Sequence, residues 1–306
     1  MSYEKLIKEN KEIAEIRNKK RSSIKNAAGK TEKEFLREYK PADYPRPSVT
    51  VDNLIFTVED NKLKILLIKR KNHPDIDTWA LPGGFVECGE NGETAEQAAY
   101  RELKEETNLE NIYMEQLYTW SEVERDPRMR VMSVSFLALI NKNGTNIKAG
   151  DDAEDVAWFS IEKSLIGTDK NGIISYDLIL KNEEKNIEII AKVFDMPRQN
   201  GVLTSYKSNI VQTSEEILAF DHINIVNMGI DRLRNKVEYT PIAFNLVPIE
   251  FTLPQLQKIY EIILGKKLYK KNFRDKINSL IVPVDKKDGG HTGPKAQMYK
   301  YNGKYN

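Results

Sequence analysis

The sequence predicts a mixed α+β protein, and three stretches carry that expectation. Residues 48–69 hold two β-branched, apolar runs, SVTVDNLIFTV and LKILLIK, joined by the polar turn Glu59-Asp60-Asn61, the pattern of a β-hairpin. TAEQAAYRELKEETN, at 94–108, has the composition and spacing of a strong helix. FTLPQLQKIYEIILG, KKNFRDKINSL and IVPVDKKDGGHTGPKAQMYKYN then read as helix, helix, strand, basic tip and strand. A chain of 306 residues is long enough for about two domains.

The remaining elements follow in order. Residues 3–40 place Leu6, Ile13, Ile16, Ile24, Phe35 and Leu36 at roughly helical spacing among charges, which predicts one or two exposed helices. Pro41, Pro45 and Pro47 end that arm. WALPGGFVECGENGE is a loop before the central helix. VMSVSFLALI and VAWFSI read as strands, with Asn143-Gly144 as a turn between them. IISYDLIL and IEIIAKVF suggest a hairpin inserted at about 166–215, and ILAFDHINIVNMGIDRLRNKVEY ends in an amphipathic helix. Pro241 and Pro248 mark the last boundary. The expected division is an arm at 1–43, a main domain at 44–240 and a C-terminal domain at 241–306.

Composition excludes several classes. No apolar run approaches the ~18 residues of a membrane span, and MSYEKLIKENKEI has no secretory apolar core. Cys88 is alone, and three scattered histidines make a poor zinc set. A cytoplasmic protein without disulfides is expected. The net charge of +1 divides into +4 over residues 1–45, −10 over 46–240 and +7 over 241–306. Basic ends around an acidic middle point to two different partners.

The sharpest pattern is Arg101-Glu102-Leu103-Lys104-Glu105-Glu106. On a helix, Glu102, Glu105 and Glu106 project together, and three carboxylates so close repel unless a cation sits among them. Magnesium or manganese suits such an all-oxygen site. Gly83 and Gly84 let backbone approach a ligand or metal closely. Gly84, Glu93, Arg101, Glu102, Leu103, Glu105, Glu106 and Leu109 resemble the Nudix box, G-x5-E-x7-R-E-U-x-E-E-x-G-U, and the stretch from Glu93 to Glu106 matches in full. The first gap carries three extra residues. Glu87, Glu90 and Glu93 therefore compete for the early glutamate's place, and register with the helix favours Glu93. Asn108 replaces the last glycine, a residue that tolerates the left-handed conformation.

The resemblance implies an α/β/α sandwich with a mixed sheet that hydrolyses a nucleoside diphosphate derivative. It implies magnesium or manganese on Gly83, Glu102, Glu105 and Glu106, with Arg101 orienting a glutamate. Glu93, or an acid of the loop Asp151-Asp152-Ala153-Glu154, is the candidate base. Segments YPRPSVTVD, TWALPGGFV, ERDPR, AGDDAEDVAWF, LAFDH, FTLPQLQKIYEIILG, NFRDKI and GPKAQMYKY extend the resemblance to Nudix proteins with a C-terminal winged helix, related to ADP-ribose pyrophosphatases and regulators of NAD metabolism. Arg125, Arg128 and, more weakly, Arg70 and Lys69 are candidates for gripping phosphate or ribose. Trp79 and Phe85 are candidates for stacking, though packing competes for both. His222 reads as hydrogen-bonded structure.

Helix, link, helix and basic hairpin is the layout of a winged helix. Lys270, Lys271, Asn272, Arg274 and Lys276 on the second helix, and Lys286, Lys287, His291 and Lys295 on the wing, are candidate contacts to double-stranded DNA. A homodimer follows from resemblance alone. Magnesium-dependent cleavage of ADP-ribose or a relative is the first reading, because the glutamate pattern is complete. The alternative is an ADP-ribose-sensing repressor.

Overall fold

The computed structural model describes residues 3–89, 92–142, 153–287 and 296–303. It forms two units, residues 1–46 and 47–306. The first unit holds α1 (Tyr3–Ser22) and α2 (Glu32–Glu38). Thr31 caps α2 in a reciprocal box with Glu34, which satisfies two backbone donors at the helix start. Ile13, Ile16, Ile24, Phe35 and Leu36 stay exposed, so capping rather than a core orders α2.

The second unit is built on one mixed sheet. The expected hairpin is β1 (Ser48–Glu59) with β2 (Lys62–Arg70), turning on Asp60 and Asn61 at positive φ. Short strands β3 (Trp79–Ala80) and β4 (Gly83–Phe85) pair with β2 and β1. Then come α3 (Ala95–Thr107), β5 (Tyr113–Trp120), β6 (Val131–Leu139) and β7 (Ala153–Thr168). The segment expected as an inserted hairpin is instead three strands, β8 (Ile174–Asn182), β9 (Ile187–Asn200) and β10 (Leu203–Gln212). They continue the main sheet in the order β10-β9-β8-β7-β2-β1-β6-β5. β10 escaped the sequence reading because most of it is exposed and polar, with no buried stripe. The Asn143-Gly144 turn lies outside the described residues.

Alternation along β1 builds two layers. Val51 and Ile55 pack with Ala98, Ala99 and Leu103 of α3, while Leu54 and Phe56 join the larger core with α4 (His222–Tyr239). Helices therefore cover both faces, as the α/β/α expectation requires. Asn108 ends α3 at φ 58°, ψ 26°, the left-handed cap expected in place of glycine.

The C-terminal part adds β11 (Phe251–Thr252), α5 (Leu253–Leu264), α6 (Lys270–Ile277), β12 (Ile281–Lys287) and β13 (Gln297–Tyr301). Its sheet order is β11-β13-β12, which is the expected winged helix. Gly265 stops α5 at φ 65°. Among the described residues no helix is long and apolar enough to cross a membrane.

Candidate functional site

A cavity of about 320 Å³ opens between β1, β2, β4, α3 and the start of α4. Its lining includes Arg70, Gly83, Gly84, Phe85, Glu102, Glu106, Arg125 and Arg128, residues that the sequence singled out. Gly83 is required here by crowding against backbone, whereas a side chain at Gly84 would press only on the end of Glu102. A Cβ on Gly83 would stand 2.1 Å from the Val51 carbonyl, and one on Gly84 2.2 Å from Glu102 Oε1.

The glutamates do not converge as expected. Glu106 is buried and accepts from the Gly83 N–H at 2.6 Å. Arg101 donates to Glu93 at 2.6 Å, to Glu102 at 2.7 Å and to Glu105 at 3.1 Å. The Arg101 guanidinium thus offsets the repulsion among Glu93, Glu102 and Glu105. Burial raises the Glu102 carboxyl above the usual carboxylate range, against the pull of Arg101. Glu105 is more than half exposed, does not line the cavity and faces Arg101. Glu93 also sits outside the lining, held by both Arg101 and the Glu87 N–H. Among the described residues no three His, Cys, Asp or Glu side chains gather as a metal set. Glu102 and Glu106 alone still fit a hard divalent ion, since magnesium commonly takes one or two carboxylates and fills its shell with water and phosphate.

The opposite wall is cationic and aromatic. The Arg70 guanidinium lies 4.8 Å from the Phe220 ring centroid, and Arg128 lies 5.9 Å from the same ring and 5.3 Å from Phe85. Burial and neighbouring Arg128 lower the Arg70 pKa, and Arg70 donates to the carbonyls of Pro74 and Asn72. Arg128 is forked on Asp126, which raises its pKa. Two guanidiniums set against aromatic rings suit a phosphate-bearing ligand with a planar group. Trp79 is a correction. It is fully buried in the larger core, edge-on to Phe159 at 4.9 Å, because on β3 it falls on the side facing α4. Phe85 keeps the stacking role open. Lys69 pairs with Asp77 at 2.6 Å and is not among the lining residues.

Beneath the cavity lies a buried polar network in which His222 is the hydrogen-bonded residue the sequence suggested, while its pairing with Asp52, Arg125 and Asp221 was not foreseen. Arg125 forks onto Asp221 at 2.6 and 3.0 Å and reaches Asp52 at 3.6 Å. Leu81 N–H donates to His222 Nδ1 at 3.0 Å, so Nε2 carries the proton that faces Asp52 Oδ1 at 3.4 Å. Ser133 donates to the other oxygen of Asp52. Burial alone would raise the Asp52 carboxyl, yet His222, Ser133 and Arg125 together hold it below the usual range. Arg125 is therefore a structural ion before it is a ligand contact. Asp151 and Asp152 lie outside the described residues.

The second candidate surface is α6. Phe273 and Ile277 face the core, leaving Lys270, Lys271, Asn272 and Arg274 exposed. Lys276 turns the other way, its ammonium 5.3 Å from the Tyr260 ring and 3.5 Å from the Val237 carbonyl. It braces α4 and α5 rather than the outer face. Lys295 and His291 lie outside the described residues.

Residues 48–176 match the NUDIX domain model, and residues 243–301 match the NrtR DNA-binding winged helix domain. The chain is 32% identical over 273 residues to the ADPR responsive transcriptional repressor NtrR of Acinetobacter baylyi, covering 89% of this chain and 88% of that one. The chain belongs to the NrtR group of Nudix proteins. An ADP-ribose pyrophosphatase of Methanocaldococcus jannaschii is 48% identical over 118 residues, 39% of this chain and 64% of that protein. The crystal structure of Shewanella oneidensis NrtR complexed with a 27mer DNA aligns at TM-score 0.58 and 26% identity, covering 83% of this chain and 93% of that one.

Within this NrtR-type winged helix, one carboxylate organises the link before α6. Glu261 accepts from the Leu268 N–H at 3.0 Å, Gln257 at 3.0 Å and Lys267 at 3.1 Å, which draws its pKa down to about 2. A carboxyl depressed by folding adds stability above its unfolded value of about 4.5, and loses it as pH falls toward 2. Thermal melts of Glu261→Gln should therefore lie below the parent near neutral pH and merge with it over that acid window.

Proposed function

We propose that this protein is a DNA-binding transcriptional repressor whose Nudix domain, residues 44–240, binds ADP-ribose and whose winged helix, residues 241–306, holds DNA. The observation that carries the reading is α4. Its first residue, His222, lines the cavity, and its later turns are bonded to the winged helix. Arg234 donates to the Ile263 carbonyl at 3.3 Å, and Lys276 of α6 donates to the Val237 carbonyl at 3.5 Å. One helix of 18 residues, about 27 Å long at 1.5 Å per residue, thus runs from ligand pocket to DNA-reading unit. Kinship over nearly the whole length of an ADPR responsive repressor supports the same reading.

In this reading Arg70 and Arg128 grip the pyrophosphate, with Phe85 and Phe220 against the flat groups of the ligand. Lys270, Lys271, Asn272 and Arg274 contact DNA, the lysines at phosphate and the other two at base edges. A symmetric homodimer acting in the cytoplasm fits a palindromic site.

A second reading is favoured by one observation, the intact pattern from Glu93 to Glu106. It is magnesium- or manganese-dependent cleavage of the ADP-ribose pyrophosphate, and the resemblance to a pyrophosphatase supports it. Glu102 and Glu106 would hold the ion, which shields the phosphates and positions a water. Arg101 would fix Glu93, and Glu105 would have to leave Arg101 to join the set.

The test titrates ADP-ribose into the protein bound to a palindromic fragment from its own promoter region, at fixed salt. DNA affinity should fall by about 5–150-fold, the usual range of coupling between two sites. Indifference of affinity to both ligand and DNA sequence would overturn the repressor. AMP release that requires magnesium and collapses in Glu106→Gln would support the second reading, and no release from the parent would remove it.

A further inference from the structure

We propose that residues 17–25 of the N-terminal arm form a second, sequence-independent DNA contact, an inference that rests on the DNA-binding reading above. Residues 4–15 of α1 balance three lysines against four glutamates. Arg17, Lys19, Lys20, Arg21 and Lys25 then follow without an acidic residue between Glu15 and Glu32. All five are exposed, and among the described residues none has an ion-pair partner, whereas Lys30 nearby pairs with Glu38.

Intramolecular physics does not account for this cluster. The helix dipole favours a cation in the last turn of α1, where Lys19, Lys20 and Arg21 lie. Arg17 and Arg21, however, are like charges at i, i+4 and oppose the helix. Arg17, Lys20 and Arg21 share one face, and Ile13 and Ile16 lie on that same face. Apolar and basic sides are therefore not separated, as a helix lying on a membrane surface would need. A dense polyanion resolves the repulsion best. DNA carries a charge about every 1.7 Å, while the acidic middle of this chain spreads a net −10 over 195 residues. The arm thus favours DNA over the chain's own surface.

The test uses the full-length protein on two duplexes of equal length, the palindromic promoter fragment and its scrambled sequence, over a salt series. Each lost phosphate contact flattens the log–log salt slope by about 0.9. The variant Arg17→Gln, Lys19→Gln, Lys20→Gln, Arg21→Gln, Lys25→Gln should flatten it by about 3–4 on both duplexes. The ratio between the duplexes should not change. Glutamine keeps helix propensity, and circular dichroism checks that α1 survives. If α1 does not survive, the pair Lys19→Gln, Lys20→Gln should still flatten the slope by about 2. Lys19→Arg, Lys20→Arg, Lys25→Arg should retain the parent slope. Unchanged slopes in the glutamine variants overturn the arm contact and leave the repressor reading standing. A parent that binds neither duplex overturns both.

Discussion

Arg125→Ala should destabilise the folded protein by about 3–5 kcal/mol, the usual cost of removing one partner from a buried ion pair. Arg125 is only 5% exposed, and its loss leaves Asp221 and Asp52 without their shared cation. The magnitude comes less from the lost attraction than from two carboxylates left desolvated. Denaturant unfolding of parent and variant measures it as a shift of the midpoint. The double variant Arg125→Ala, Asp221→Ala should recover part of the loss, because one stranded charge goes with its partner. A shift below 1 kcal/mol in the single variant would mean that the network is wetter than its geometry indicates.

The second large effect is functional. His222→Asn should bind ADP-ribose yet lose the response that the ligand imposes on DNA, its effect dropping from the expected 5–150-fold to less than about twofold. Asparagine still presents an acceptor where Nδ1 takes the Leu81 N–H, so the local turn keeps its hydrogen bond. It is too short to reach Asp52, which is how the floor of the cavity meets the first residue of α4. Fluorescence anisotropy with labelled DNA, with and without ADP-ribose, reads the coupling, and calorimetry reads ligand binding separately. A variant that still releases DNA on ligand addition would show that the signal does not pass through this contact.

Much of the candidate site was legible because its signals are local. The Arg101-to-Glu106 spacing is fixed by helical geometry, and in the structure Arg101 bridges Glu102 and Glu105 on the helix and Glu93 just before it. The left-handed end at Asn108 and the stop at Gly265 are likewise properties of a few consecutive residues. The network of Asp52, Arg125, Asp221 and His222 was not legible. Arg125 and His222 stood out singly, the latter as hydrogen-bonded structure, but only the fold brings together groups that stand 96 and 141 residues from their partners. Phe220 was missed for the same reason. Its place on the pocket wall depends on a turn at φ 50°, with its backbone N–H held by Asp75. Trp79 and Phe85 show the reverse case. Both flank the same loop in sequence, and the side of the sheet on which each falls sends one to the core and leaves the other at the cavity.

By itself the sequence determined most of the helices and strands, the acidic helix and the basic ends. These depend on periodicity, spacing and charge along the chain, which no partner can alter. Tertiary structure alone decided which carboxylates meet the cavity and that one helix joins pocket to winged helix. Those outcomes turn on contacts between distant segments, where burial makes each charge depend on the neighbour that folding supplies.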